Sequence, residues 1–244
     1  MRIFFITNLF LFIKHMSDQI DNILNLLKSK GNSKSYNSMI RFGIKVDKAF
    51  GVSIPQIRSI AKDIGKDHQL ASELWNSEIH EARLLACLVD DPKYVSEEQM
   101  ESWVRDFRSW DLCDHCCNNL FSKTAYAYDK AMEWSKNDEE YIKRAGFVLI
   151  ACLAIHDKNA PDKFFIDFLP RIIEESTDER NFVKKSVNWC LRQIGKRNIK
   201  LNKIALDTAN TILEINCNSS KWIAKDAIKE LSSAKIQNRV FNKK

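Results

Sequence analysis

Ser109-Trp110-Asp111-Leu112-Cys113-Asp114-His115-Cys116-Cys117-Asn118-Asn119-Leu120-Phe121 reads as a helix. Neither Gly nor Pro interrupts it, Ser109 is a good N-cap, and Leu112, Cys116, Leu120 and Phe121 fall at helical spacing. On a helix Trp110 and Asp114 stand one turn apart on the same face. An aromatic plate therefore lies beside a carboxylate while Leu112, Cys116 and Leu120 turn toward a core. Asp111 points elsewhere; in the first turn it is placed to cap the helix and oppose its dipole. His115 is rotated by about 100° from Asp114 and reads as structural rather than as a second acid–base group. A Trp beside an Asp is most often core packing next to a surface charge, so the pattern takes its meaning from what stands on either side.

Working outward, the whole chain follows a helical period. Upstream, the spacing predicts helices over 20–27, 36–42, 54–64, 69–75, 81–89 and 97–107. Of these, the third opens on Ser53-Ile54-Pro55 and stops at Gly65, and the last begins with a capping box at Ser96 and Gln99. Downstream, helices are expected over 126–135, 139–156 capped by Asp138, 161–175, 180–196, 201–216 and 220–233. No segment reads as a convincing strand, and 6 Gly with 4 Pro in 244 residues leave little material for the tight turns of a sheet protein. Helix pairs recur every ~35 to 45 residues, the period of helical-repeat arrays, without exact sequence repetition.

The composition, 45% hydrophobic and 29% charged, is that of a soluble globular chain, and its length suits one domain or one array of repeats. Seven cysteines, an odd number with Cys116 and Cys117 adjacent, do not form a disulfide framework or the spacing of a zinc site. They point to a reducing, cytoplasmic compartment with no metal and no cofactor. Residues 1–15 carry Ile3-Phe4-Phe5-Ile6 and Leu9-Phe10-Leu11-Phe12-Ile13, yet no small-residue cleavage site follows and the run is too short for a bilayer. They read as an extended or misassigned start, leaving 16–244 as a single helical-repeat domain with no membrane association.

The net charge of +6 hints at an anionic partner, and its distribution says more. Between Arg180 and Leu206 stand Arg180, Lys184, Lys185, Arg192, Lys196, Arg197, Lys200 and Lys203 without one acid. Lys185, Trp189, Arg192 and Lys196 fall on one helical stripe, three cations around an indole, which suits phosphates and bases. Read as surface chemistry alone, the block could equally be a solvated face.

Three motifs occur in order: Gly51-Val52-Ser53-Ile54-Pro55-Gln56-Ile57-Arg58, then Trp110-Asp111 with Asp114, then Asn188-Trp189-Cys190-Leu191-Arg192-Gln193-Ile194-Gly195-Lys196-Arg197-Asn198. Together they resemble the AlkD-like DNA alkylation repair family, alkylpurine DNA glycosylases built from HEAT-like repeats. The resemblance runs from about Met16 to Phe241. It implies an all-α, HEAT-like curved solenoid with a basic concave face. It also implies Asp114 as the catalytic carboxylate, with Trp110 and Trp189 forming an aromatic cleft around the sugar. Arg144, in Tyr141-Ile142-Lys143-Arg144-Ala145, matches the family's DNA-contacting arginine. Lys143, Lys185, Arg192, Lys196 and Arg197 are the further expected DNA contacts. The family works without drawing the lesion fully into a base pocket.

The implied chemistry is release of cationic alkylated purines of the N3-methyladenine and N7-methylguanine type from double-stranded DNA, as a monomer in base excision repair. The transition state is oxocarbenium-like and needs an anion and a placed water, both of which a carboxylate supplies. A base that is already cationic departs neutral, so no general acid is required. Two other classes fit the same helices: a non-catalytic protein binding distorted or branched DNA, and a protein-interaction scaffold in which the tryptophans are packing.

Overall fold

The computed structural model describes residues 18–44 and 46–242. The reading of residues 1–15 as an extended or misassigned start lies outside that range. Among the described residues every regular element is helical. The first, α1, spans 18–30. It is followed by α2 (Ser33–Arg41), α3 (Ile54–Ile64), α4 (His68–Asn76), α5 (His80–Val89), α6 (Glu97–Arg105) and α7 (Trp110–Asn119). A 3-10 turn at Phe121–Lys123 leads to α8 (Ala127–Trp134), α9 (Glu140–His156), α10 (Asp162–Glu175), α11 (Asn181–Gly195), α12 (Ile199–Leu213), α13 (Asn218–Leu231) and α14 (Ala234–Phe241). Among these residues no helix is long and apolar enough to cross a membrane. The chain divides into two compact units, one up to Ser96 and one from Glu97, although the sequence shows no linker there.

In the first unit the Gly-Val-Ser-Ile-Pro motif is held by one buried acid. The Glu81 carboxylate of α5, fully buried, accepts the backbone N–H groups of Phe50 at 2.9 Å, Gly51 at 2.6 Å and Val52 at 3.2 Å. Gly51 sits at φ +78, and a Cβ there would lie 2.4 Å from the Asn32 carbonyl oxygen, so this turn needs glycine. The chain then enters α3, where the Gln56 side-chain oxygen accepts from Ser53 N at 3.2 Å and Ser53 Oγ at 2.7 Å. Gly65 closes α3 at φ 81. The helix expected over 36–42 starts earlier, at Ser33, because Asn32 Oδ1 accepts from Ser35 N at 2.8 Å and caps it.

The second unit is two layers of helices. In one, α7, α9, α11 and α13 lie side by side, and the pairings show that they run parallel. Cys113 Sγ approaches Tyr141 O and Cys117 Sγ approaches Ala145 O. Asn188 reaches Asp226, and Arg192 reaches Glu230. The other layer packs α8 on α9, α10 on α11 and α12, and α14 on α12 and α13. The central helix α9 is buried without a break from Ile142 to Ala154; from Ala145 on it is apolar all round, as a central helix should be, while Lys143 and Arg144 are buried with acidic partners. Its Gly146 lets α8 come close, since a Cβ there would lie 2.3 Å from Ser135 N.

The caps differ from expectation in two places. Ser109 holds the N-cap position of α7 in extended conformation, but its hydroxyl makes no capping bond. Glu139, not Asp138, occupies the cap of α9, and the Asn137 side chain accepts from Glu139 N at 2.8 Å. Among the described residues the sequence reading also missed α14, a short helix anchored by Ile236 and Val240.

Replacing Glu81 by Gln keeps the shape but weakens the acceptor that serves three buried N–H groups. Unfolding stability should fall by about 1–3 kcal/mol. Urea denaturation should show a lower midpoint at unchanged slope.

Candidate functional site

Asp114 on α7 and Arg144 on α9 form a bidentate ion pair. Arg144 Nε donates to Asp114 Oδ1 and Nη2 to Oδ2, both at 2.8 Å. The remaining arm of the guanidinium, Nη1, donates to the Phe182 carbonyl of α11 at 2.5 Å. One buried arginine therefore fixes a carboxylate across two helices and is itself fixed by a third. The two partners differ in access: the Asp114 side chain keeps 24% of its exposure and that of Arg144 only 6%. Burial pushes the Asp114 carboxyl above its usual value, Arg144 pulls it back down, and neighbouring Asp111 pushes it up. Burial would depress Arg144, but the Asp114 charge holds it above its ordinary value. The fork geometry is that of guanidinium and carboxylate.

Aromatic rings gather at the same end of the parallel helices. Trp110 is the first residue of α7, one turn before Asp114, and is half-buried. Tyr141 of α9 stacks on Phe182 of α11 with centroids 5.8 Å apart and planes at 28°. The Tyr141 hydroxyl is pushed up to about 12, first by burial, then by Glu140 against the pull of Arg144, so it stays protonated at neutral pH. Trp189 is half-buried as well, but it lies seven residues beyond Phe182, ~10 Å along the helix axis. With the Gln193 amide oriented to satisfy its neighbours, its oxygen accepts from Trp189 Nε1 at 2.8 Å and from Lys196 Nζ at 2.9 Å. The aromatics beside the ion pair are thus Tyr141 and Phe182, which the sequence reading did not single out. Their signal was an aromatic in the first turn of each successive helix.

The expected cations fare differently from one another. Lys143 does not offer its charge to a phosphate: it is buried, with Nζ 2.6 Å from Glu175 and 3.8 Å from Asp178. Arg197 is likewise engaged within the protein. It donates to the carbonyls of Ala154, Asp157, Lys158 and Ala160 at 2.6–3.2 Å, closing the C-terminal end of α9, and it lies over the Phe165 ring. Arg192 Nη1 and Lys196 Nζ pair with Glu230 at 2.6 and 2.9 Å. The stripe of three cations around Trp189 therefore holds two cations paired with Glu230 and one exposed lysine, Lys185.

Behind the ion pair lie Cys113, Cys117 and Cys152, all buried and free. Burial pushes the Cys117 and Cys152 thiols up, which keeps them protonated and inert. Among the described residues no group of His, Cys, Asp and Glu is arranged to hold a metal ion.

A family model described as DNA alkylation repair enzyme matches residues 23–231. The uncharacterized protein Lin0241 of Listeria innocua serovar 6a is 26% identical over 234 residues, 91% of this chain and 98% of its own. Lmo0209 of Listeria monocytogenes serovar 1/2a, also described as uncharacterized, is 24% identical over 233 residues with the same two coverages, 91% and 98%. Among solved structures, one superposes with a TM-score of 0.73 at 21% identity, covering 86% of this chain and 94% of its own. It is described as a new family of proteins related to the HEAT-like repeat DNA glycosylases with affinity for branched DNA structures. That likeness makes the fold HEAT-like.

Arg144→Met leaves Asp114 without its partner in a largely buried setting. The loss in stability should be on the order of 3 kcal/mol. Adding Asp114→Leu should recover part of it, and denaturant unfolding of the four proteins of this cycle measures the coupling.

Proposed function

The chain belongs to the DNA alkylation repair enzyme family, and from that premise we propose that it is a DNA glycosylase. It acts as a monomer on double-stranded DNA and releases cationic alkylated purines of the N3-methyladenine and N7-methylguanine type. The observation that carries this reading is the Asp114 carboxylate, reachable from solvent yet held rigidly from behind by buried Arg144. Each oxygen of the carboxylate accepts one N–H from Arg144 and retains a further lone pair. With 24% of its side-chain surface still exposed, Asp114 can use those lone pairs to orient a water toward C1′ of the deoxyribose. As the glycosidic bond breaks, its electrons go to the cationic purine, which leaves neutral. The positive charge that develops on the sugar is opposed by Asp114. Attack of the oriented water and loss of its proton complete the hydrolysis.

In this mechanism Arg144 is a positioning residue that removes the rotational freedom of the carboxylate. Trp110, one turn away on α7, and the stacked Tyr141 and Phe182 supply aromatic surface for the sugar, which attracts its developing charge by about 0.5–2 kcal/mol. Trp189 would serve farther along the same face. The exposed Lys185 is the cation of the α11 stripe left to contact phosphate.

Single-turnover release of N7-methylguanine from alkylated duplex DNA tests the reading. Asp114→Asn should lower the rate by about 100- to 1000-fold with DNA affinity nearly unchanged. The active form is the carboxylate, so the rate should fall as pH drops through the Asp114 value. Burial places that acid limb above the ordinary carboxylate range. Asp111→Asn should leave the neutral-pH rate near wild type and move the limb to lower pH, because Asp111 pushes Asp114 up. Wild-type protein that binds branched DNA but releases no methylated purine would transfer it to the non-catalytic binding class.

A further inference from the structure

Trp222, on α13, is 42% exposed. It stands at the seam with α11, where Lys184 Nζ lies 5.3 Å from the centroid of its ring. Lys225 and Lys229 follow three and seven residues later on the same face of α13. Both are exposed, as is Lys185 on α11. Further along the seam the acids of α13 are already satisfied. Asp226 accepts from Asn188 at 2.9 Å and faces Arg192 at 3.5 Å, while Glu230 holds Arg192 and Lys196. No ion pair involves Lys184, Lys185, Lys225 or Lys229 among the described residues. The cations of α11 that face α13 neutralise its acids, which leaves α13 itself as the charged and aromatic surface.

We propose that Trp222 is a stacking platform for an unpaired nucleobase, with Lys184, Lys225 and Lys229 holding the flanking phosphates of a single-stranded DNA segment. An exposed indole ringed by uncompensated cations matches a polyanion that also carries flat apolar faces. An acidic peptide would satisfy the lysines but give the ring nothing to stack on, whereas a blunt duplex keeps its bases stacked within itself. Lys225 and Lys229 stand about 4.5 and 10.5 Å along the axis from Trp222, a spread that follows a strand rather than one anion. When a base stacks on the indole, the flexible Lys184 can move from the ring to the adjoining phosphate. This site lies at the seam of α11 and α13, outside the Asp114 pair. It rests on the reading that the protein engages DNA, and it is independent of glycosidic chemistry.

The test compares labelled oligothymidylate, a forked duplex with single-stranded arms, and a blunt duplex of equal length, using the full chain. Trp222→Ala should weaken binding of the oligothymidylate and the fork by about 10-fold and leave the blunt duplex within about twofold. Trp222→Phe should retain most of the affinity, and indole fluorescence of the wild type should be quenched on binding. Lys225→Ala with Lys229→Ala should reduce the salt dependence for the single strand by a slope of roughly 1.4, two phosphates' worth. Trp222→Ala that binds all three probes as wild type does, or that weakens all three equally, overturns the proposal. So does a wild type that fails to bind oligothymidylate. Release of N7-methylguanine from blunt duplex by Trp222→Ala at the wild-type rate reports on the Asp114 reading separately, so the two can fail independently.

Discussion

A guanidinium buried between three helices has to be neutralised, and in this protein Asp114 neutralises Arg144. The pair joins α7 to α9, and the third arm of the arginine reaches the Phe182 carbonyl of α11. Because an unpaired charge in such a place is strongly unfavourable, the three helices cannot shift against one another without breaking it. The same constraint that orders the helices fixes the orientation of a carboxylate that stays partly exposed. An apolar replacement of such a pair is often neutral or stabilising, so stability by itself is a weak reason for an ion pair here. Control over where one carboxylate points is a better one.

Electrostatics elsewhere in the second unit follows the same logic of internal satisfaction. Lys130 is surrounded by Glu97, Glu101 and Glu133, each 2.8 Å from its ammonium. Lys143 meets Glu175 and Asp178, and Arg197 closes a row of carbonyls at the end of α9. A run of basic residues in sequence is thus a poor guide to the field that a partner meets. What reaches the surface is the remainder after neighbouring helices have taken their share, and that remainder includes Lys185, Lys200 and Lys203 as well as the lysines of α13.

Parallel stacking of α7, α9, α11 and α13 has a second consequence. It brings the positive ends of several helix dipoles to one side, where Trp110, Tyr141 and Phe182 also stand. Aromatic surface, a fixed carboxylate and helix N-termini meet there because every other helix of the array points the same way. A single helix pair would not supply that combination.

By itself the sequence determined the helical class, most helix positions, the Ser53 to Pro55 helix entry and the family. It did so because each depends on residues a few positions apart: apolar spacing, capping side chains, a proline in the first turn of a helix. It also placed Trp110 and Asp114 on one face of α7. Only the tertiary structure decided which charges meet. Asp114 finds Arg144 thirty residues on, Arg192 finds Glu230 thirty-eight residues on, and no period or motif marks such partners. Arg144 looked like a DNA-contacting arginine, and Lys143, Arg192, Lys196 and Arg197 looked like a phosphate surface. Helix packing buried the first two and gave the others acids or carbonyls to bind, since a charge drawn from water must find its partner wherever the fold brings one within reach.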